Sequence, residues 1–207
     1  TENPVTTPWI KANKISRCTF KSIPTQREMT FKVKEYDNCR FENLRVRSEN
    51  PNAQNVDVCE FARSEFLNCE LRNHLFSGRP MNIRVTKSKL IDTTCEVGIT
   101  NVDNQASYTL LDDCDITINT KNNLFLSDTN RPYSTYKAKD CRVSISNPAF
   151  GSLLASGSAN AANELILEGN EFVYLGPAPL NLKYYTNKNH IRNFVDSNNT
   201  FTNITLQ

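Results

Sequence analysis

Asp112-Asp113-Cys114-Asp115-Ile116 and, 27 residues on, Lys139-Asp140-Cys141-Arg142-Val143 share one local frame. Two turn-forming residues precede a cysteine, which is followed by a polar residue and an apolar one. The frame recurs upstream as Ser16-Arg17-Cys18-Thr19-Phe20, Asp37-Asn38-Cys39-Arg40-Phe41, Leu67-Asn68-Cys69-Glu70-Leu71 and Thr93-Thr94-Cys95-Glu96-Val97. Downstream, asparagine takes the cysteine slot in Glu168-Gly169-Asn170-Glu171-Phe172 and Ser197-Asn198-Asn199-Thr200-Phe201. Successive slots lie 21, 30, 26, 19, 27, 29 and 29 residues apart, a period in the twenties that marks a repeat architecture.

The residues around each slot say which architecture. After the slot, apolar and polar residues alternate, as in Cys39, Phe41 inward and Arg40, Glu42 outward, the signature of a strand with one buried face. Just before it stand Asn38, Asn68, Asp113, Asp140, Gly169 and Asn198, residues that accept a left-handed backbone at low cost. Short strands joined by tight left-handed bends describe a coil that cannot bury its inner face alone. Coils therefore stack at about 4.8 Å into parallel sheets. The segments are rich in Val, Ile, Thr and Phe and lack a 3.6-residue period, which excludes helical repeats. The leucine frame is too sparse for leucine-rich repeats. The expected fold is all-β, a single-stranded right-handed parallel β-helix of about eight coils with loop insertions, roughly 35–40 Å long.

Composition sets the outer limits. The 207 residues suit one domain, with 1–14 as an N-terminal cap segment, Trp9 covering the first coil, and 15–207 as coils. Lys and Arg number 24 against 22 Asp and Glu, which gives no electrostatic case for nucleic acid. No apolar run approaches the ~18 residues of a membrane span, and no basic-apolar leader opens the chain. The absence of a starting Met points to a piece of a longer protein. No cofactor is expected, and His74 and His190 have no partners at metal-ligand spacing, so no metal is either. The seven cysteines are odd in number; six are expected as an inward ladder of free thiols beside the bend. Cys59 falls on a second strand of a long repeat. In-register thiols one coil apart suit disulfide geometry poorly, and free buried thiols fit folding in a reducing cytoplasm.

With these residues in view, the pattern resembles the pectin-lyase-like right-handed β-helices, in which Asn or Cys ladders follow a bend. Low glycine content, variable coil length and Asn-rich bends are most similar to the β-helix domains of bacteriophage tailspikes and appendages. The resemblance spans about 15–206. It implies a homotrimer, acting on the virion tail or outside the cell, that binds a bacterial surface polysaccharide and often cleaves it. The paired-aspartate and R-x-K signatures of pectate lyases and polygalacturonases do not occur, so no catalytic residue carries over. Fold alone does not assign a reaction.

Candidate chemistry comes from stacking. If the six cysteine slots and two asparagine slots form one column, the residues after them form an outward stripe: Thr19, Arg40, Glu70, Glu96, Asp115, Arg142, Glu171 and Thr200. Glu70, Glu96 and Asp115 are then consecutive carboxylates, spaced about 5 Å or 9–10 Å apart, which brackets glycosidase geometries. Such closeness would split their pKa values into an acid and a base. Arg40 and Arg142 flank them as ligand-binding candidates. Three stretches break the repeat. Residues 122–136 carry Arg131, Tyr133 and Tyr136. Residues 148–163 read as a flexible loop or short helix, and 176–190 carry Tyr184 and Tyr185. Their aromatic rings would stack on sugars. The competing readings of these groups are a solvated polar face and loops packed on the solenoid. The leading expectation is a tailspike-like domain that binds, and in its stronger form depolymerises, a surface polysaccharide. A monomeric polysaccharide lyase or hydrolase and a non-catalytic shaft remain the alternatives.

Overall fold

The computed structural model describes residues 9–22, 28–48, 58–72, 82–97, 107–127, 134–156 and 163–207. Three short strands recur in chain order, and every strand pairs in parallel with its counterpart in the neighbouring coil. The chain is an all-β parallel solenoid. Face A holds Trp9–Ser16, Glu28–Asp37, Val58–Ala62, Asn82–Thr86, Ser107–Asp112, Ser134–Lys139, Asn163–Glu168 and Ile191–Ser197. Face B is an 8-stranded sheet of Thr19–Lys21, Arg40–Glu42, Glu65–Leu67, Lys89–Ile91, Asp115–Ile118, Arg142–Ile145, Glu171–Tyr174 and Thr200–Thr202. Face C holds Arg45–Ser48, Glu70–Arg72, Thr94–Val97, Phe125–Ser127, Ser152–Ser156, Leu180–Tyr185 and Ile204–Leu206. Glu28–Asp37 is long enough to join faces C and A, pairing with Arg45–Ser48 at its start and Val58–Ala62 at its end.

Period-two alternation makes the core. On face B the inward column begins Phe20, Phe41, Phe66, with rings stacked 5.0 and 4.9 Å apart, and ends Phe172, Phe201 at 5.0 Å. On face A, Tyr36 and Phe61 stack at 4.7 Å and meet Phe41 edge-on. Leu90, Ile116, Val143, Val85, Leu111 and Leu167 fill the coils between. In-register stacking brings like rings into offset contact, worth about 0.5–1.5 kcal/mol per pair beyond their buried area.

The bend between faces A and B is the same throughout. Arg17, Asn38, Arg63, Lys87, Asp113, Asp140, Gly169 and Asn198 all have φ between 49° and 68°. Each is followed by a small side chain: Cys18, Cys39, Ser64, Ser88, Cys114, Cys141, Asn170 and Asn199. Where Cys39, Ser64, Ser88, Cys114 and Cys141 occupy the rung, the thiol or hydroxyl donates to the carbonyl two residues earlier. Oxygen-bearing rungs also accept from the preceding coil, as in Cys39 N–H to Ser64 Oγ (3.2 Å) and Cys141 N–H to Asn170 Oδ1 (2.9 Å). Asn170 gains a third bond, Nδ2 to Ala138 O at 2.9 Å.

This bend corrects the expected single cysteine ladder. Four cysteines share it, and Ser64 and Ser88 complete it. Cys69 instead lies on the bend between faces B and C, after Asn68 (φ 51°), and Cys95 lies within a face C strand. Cys59 sits within a face A strand. All seven cysteines are free thiols, with only Cys18 exposed. Two further expectations change. Trp9–Ser16 is already a strand, paired with Thr30–Asp37, so coiling begins ahead of residue 15; the Trp9 side chain lies outside the described residues. Ser152–Ser156 is a strand, with Leu153 and Leu154 buried in the core, and the short helix does not form.

Candidate functional site

The register decides which charges meet. The outward column of face B runs Thr19, Arg40, Glu65, Lys89, Asp115, Arg142, Glu171, Thr200. Glu65 and Lys89 occupy the positions expected for Glu70 and Glu96. The column therefore alternates in sign, and the expected run of three carboxylates is absent from it. Arg40 Nη1 meets Glu65 Oε2 at 2.5 Å, and Arg142 Nε meets Glu171 Oε2 at 3.5 Å. These exposed pairs are worth little individually, but a strand slipped by one residue would set each charge opposite an inward apolar residue of the next coil. Arg40 and Arg142 serve this column, and Asp115 stands between Lys89 and Arg142 in it.

Glu70 and Glu96 belong to face C. Glu70 is in register with Arg45 and Thr94, and Glu96 with Arg72 and Leu126; the Glu96 side chain lies outside the described residues. The structure thus brings two of the three candidate carboxylates to one face and sets Asp115 on another. Tyr136 is also displaced from its expected role. It is wholly buried in the core, in register with buried Thr109, its hydroxyl donating to Leu126 O at 2.9 Å. Arg131 and Tyr133 lie outside the described residues. Tyr184 and Tyr185, expected to stack on sugars, both pack on Phe194, with centroids 4.6 and 5.7 Å away. The Tyr184 hydroxyl bonds Asp196, and burial together with that carboxylate pushes its pKa up.

A groove of about 650 Å3 lies on face C beside the B/C bend. Leu44, Cys69 and Leu126 contribute to its lining, Arg45, Glu70 and Thr94 come from the face C strands, and Asn68, Asp92, Asn122 and Asn123 come from the bend. The bend explains the groove. At Asn43-Leu44, Asn68-Cys69 and Asp92-Thr93 it takes two residues, with Asn43, Asn68 and Asp92 at positive φ. After Ile118 it lengthens to 119–124, and this added backbone forms a ledge beside the neighbouring tight bends.

The ledge is held rigidly. Asp92 Oδ1 accepts the Asn119 N–H at 2.6 Å and Oδ2 accepts Asn119 Nδ2 at 3.2 Å. Ser146 Oγ donates to Asn119 Oδ1 at 2.8 Å, and Asn123 Nδ2 donates to Ser152 O and Oγ at 2.7 Å. Thr94 Oγ1 donates to Asn123 O at 3.0 Å. On the strand side, Arg45 Nε bonds Glu70 Oε2 at 2.8 Å and Nη2 reaches Oε1 at 3.5 Å. The Cys69 thiol, in the floor, is pushed up to about 11 by burial. Among the described lining residues there is no aromatic ring; the groove presents planar amides, carboxylate and guanidinium.

A second polar cluster lies at the C/A corner. Ser127 Oγ donates to Asn163 Oδ1 (3.0 Å), Asn163 Nδ2 to Ser156 Oγ (3.3 Å), and Ser156 Oγ lies 3.2 Å from His190 Nδ1. The pairing of a serine with a histidine suggests a nucleophile and base, and the hydrogen-bond directions exclude it. Asn187 Oδ1 accepts from Asn189 N–H, which leaves Asn187 Nδ2 facing His190 Nε2 at 3.1 Å. Nε2 must then accept, so the ring proton sits on Nδ1 and donates to Ser156. The cluster satisfies buried polar groups. Among the described residues no group of three or more His, Cys, Asp or Glu is placed to hold a metal ion, and no helix is long and apolar enough to cross a membrane.

Comparison with protein-family models, curated proteins and solved structures finds no match to this chain. The parallel solenoid is therefore established by its own register.

Proposed function

We propose that this solenoid is a glycan-binding module of the tailspike kind, which holds a bacterial surface polysaccharide in the face C groove. The observation that carries the reading is the rigid polar groove itself. Its lining comes from strands and bends in stacked coils between Leu44 and Leu126, and its walls are fixed before any ligand arrives. Preorganised donors and acceptors spare a ligand the entropy of ordering them. The run of lining residues along the solenoid axis suits an extended polymer, and the amide, hydroxyl and carboxylate groups suit sugar hydroxyls. Work on a virion tail or outside the cell, and assembly as a homotrimer, rest on the resemblance to tailspike domains. A solution mass near three times 23.5 kDa would support the trimer.

The test is binding of purified surface polysaccharides, measured by calorimetry on the whole chain. Glu70→Ala combined with Asn122→Ala should weaken a bound glycan at least tenfold, about 1.4 kcal/mol. Arg142→Ala, on face B, should leave binding unchanged. The opposite pattern would move the site to face B.

Cleavage is a second reading with one observation in its favour. Glu70 and Glu96 lie on adjacent face C strands, offset by two residues, because Glu96 is opposite Arg72. Strand geometry sets their backbones about 8 Å apart, and inversion would require the carboxyl groups themselves to stand roughly 6.5–9.5 Å apart. Release of reducing ends by the wild-type chain, abolished in Glu96→Gln with binding retained, would establish it. A wild-type chain that binds without releasing them is a lectin-like module.

A further inference from the structure

The charges around the groove bear on which glycan it takes, an inference that rests on the groove being the glycan site. Among the described lining residues Arg45 is the one cation, and it is held by Glu70 through Nε and Nη2. The remaining charged liner, Asp92, has both carboxylate oxygens occupied by Asn119.

We infer that the groove selects a neutral, hydroxyl-rich polysaccharide and discriminates against uronate- or phosphate-bearing ones. A sugar hydroxyl both donates and accepts, so it can insert among Asn122, Asn123, Thr94 and the Glu70 carboxylate without displacing an ion pair. A sugar carboxylate only accepts. It would meet the Glu70 and Asp92 carboxylates, and would have to compete with Glu70 for Arg45. Specificity of this kind comes from repulsion built into the site as much as from attraction. Neutral recognition also predicts weak salt dependence, because no net charge is neutralised on binding.

The experiment titrates the whole chain with a neutral glucan or galactan oligosaccharide and with a polygalacturonate oligosaccharide of matched length. Each titration is run at low and high salt, with wild type and with the Glu70→Ala, Asn122→Ala variant. The inference expects the neutral series to bind at least tenfold tighter, with affinity changing less than about twofold across salt and lost in the variant. Tighter binding of the uronate, lost in the variant and weakened by salt, would overturn neutral selection while leaving the groove as the glycan site. Binding of either series that the variant leaves unchanged, or no binding by either, would overturn the groove reading and the inference with it.

Discussion

The two bends of the solenoid solve the same problem differently. Between faces A and B, every coil turns on one left-handed residue and one small hydrogen-bonding residue, from Arg17-Cys18 to Asn198-Asn199. Between faces B and C a left-handed residue turns the chain at Asn43-Leu44, Asn68-Cys69 and Asp92-Thr93, with apolar Leu44 in place of a hydrogen-bonding rung; the bend then lengthens to 119–124, 146–151 and 175–179 before returning to Asn203 alone. The uniform bend is structural, because its rung side chains bond backbone groups at the turn: the carbonyl two residues earlier and, where the rung carries oxygen, the rung N–H of the preceding coil. The varied bend is where surface shape arises: a groove forms where a long bend meets tight ones. Uniformity marks what stacking requires, and variation marks where the molecule can acquire a site.

The sharpest test of this contrast is Asn170→Ala in the uniform bend. It strands the Cys141 N–H and removes a bond to the Ala138 carbonyl, so a loss of about 2–3 kcal/mol is expected from urea unfolding. A loss under about 1 kcal/mol would show that the rungs are not needed. The varied bend has its own signature at Cys69. Its folded-state pKa is raised, so the thiol's contribution is fully present below the unfolded value near 8.5 and is lost as pH rises toward about 11. Stability should fall by roughly 2–3 kcal/mol across that window, and Cys69→Ser should flatten the fall. Asp92→Gly keeps the left-handed bend but frees the ledge. It is expected to cost about 1–2 kcal/mol and, more tellingly, to weaken glycan binding. Unchanged binding would mean that the ledge does not shape the site. Smallest is Lys87→Asn, which relieves a left-handed conformation that lysine adopts at a cost of about 1–2 kcal/mol, and should stabilise by about 1 kcal/mol. A fall in stability would mean that Lys87 carries a role beyond turning the chain.

Much of the fold was legible because it is local. Alternation after Cys39 or Cys114, and a left-handed-tolerant residue before it, follow from backbone sterics and need no distant contact. What misled was treating cysteine as the mark of the rung. The rung requires a small side chain that donates to a nearby carbonyl, and Ser64 and Ser88 meet that need as Cys39 does. Arg63 and Lys87 before them disguise the bend, being unusual left-handed residues. With the serines included, rung spacings become 21, 25, 24, 26, 27, 29 and 29, smoother than the cysteine spacings, and this was a signal within the sequence itself. Misplacing two rungs put Glu70 and Glu96 on face B and created a carboxylate run that the register replaces with alternating charge. Tyr136 was misread for a related reason, since its partner strand, not its neighbours in sequence, shows that it points inward. The groove was not legible at all. It depends on a long bend meeting short ones across coils, with Asp92 and Asn119 joined over 27 residues.

Amide hydrogen exchange on the whole chain, with and without a saturating surface polysaccharide, tests most directly whether the opened bend makes the binding site. Protection is expected to concentrate on 68–70, 92–94 and 119–124, with the face B strands unchanged. Protection confined to face B, or to the C-terminal strands from Leu180 onward, would contradict the account.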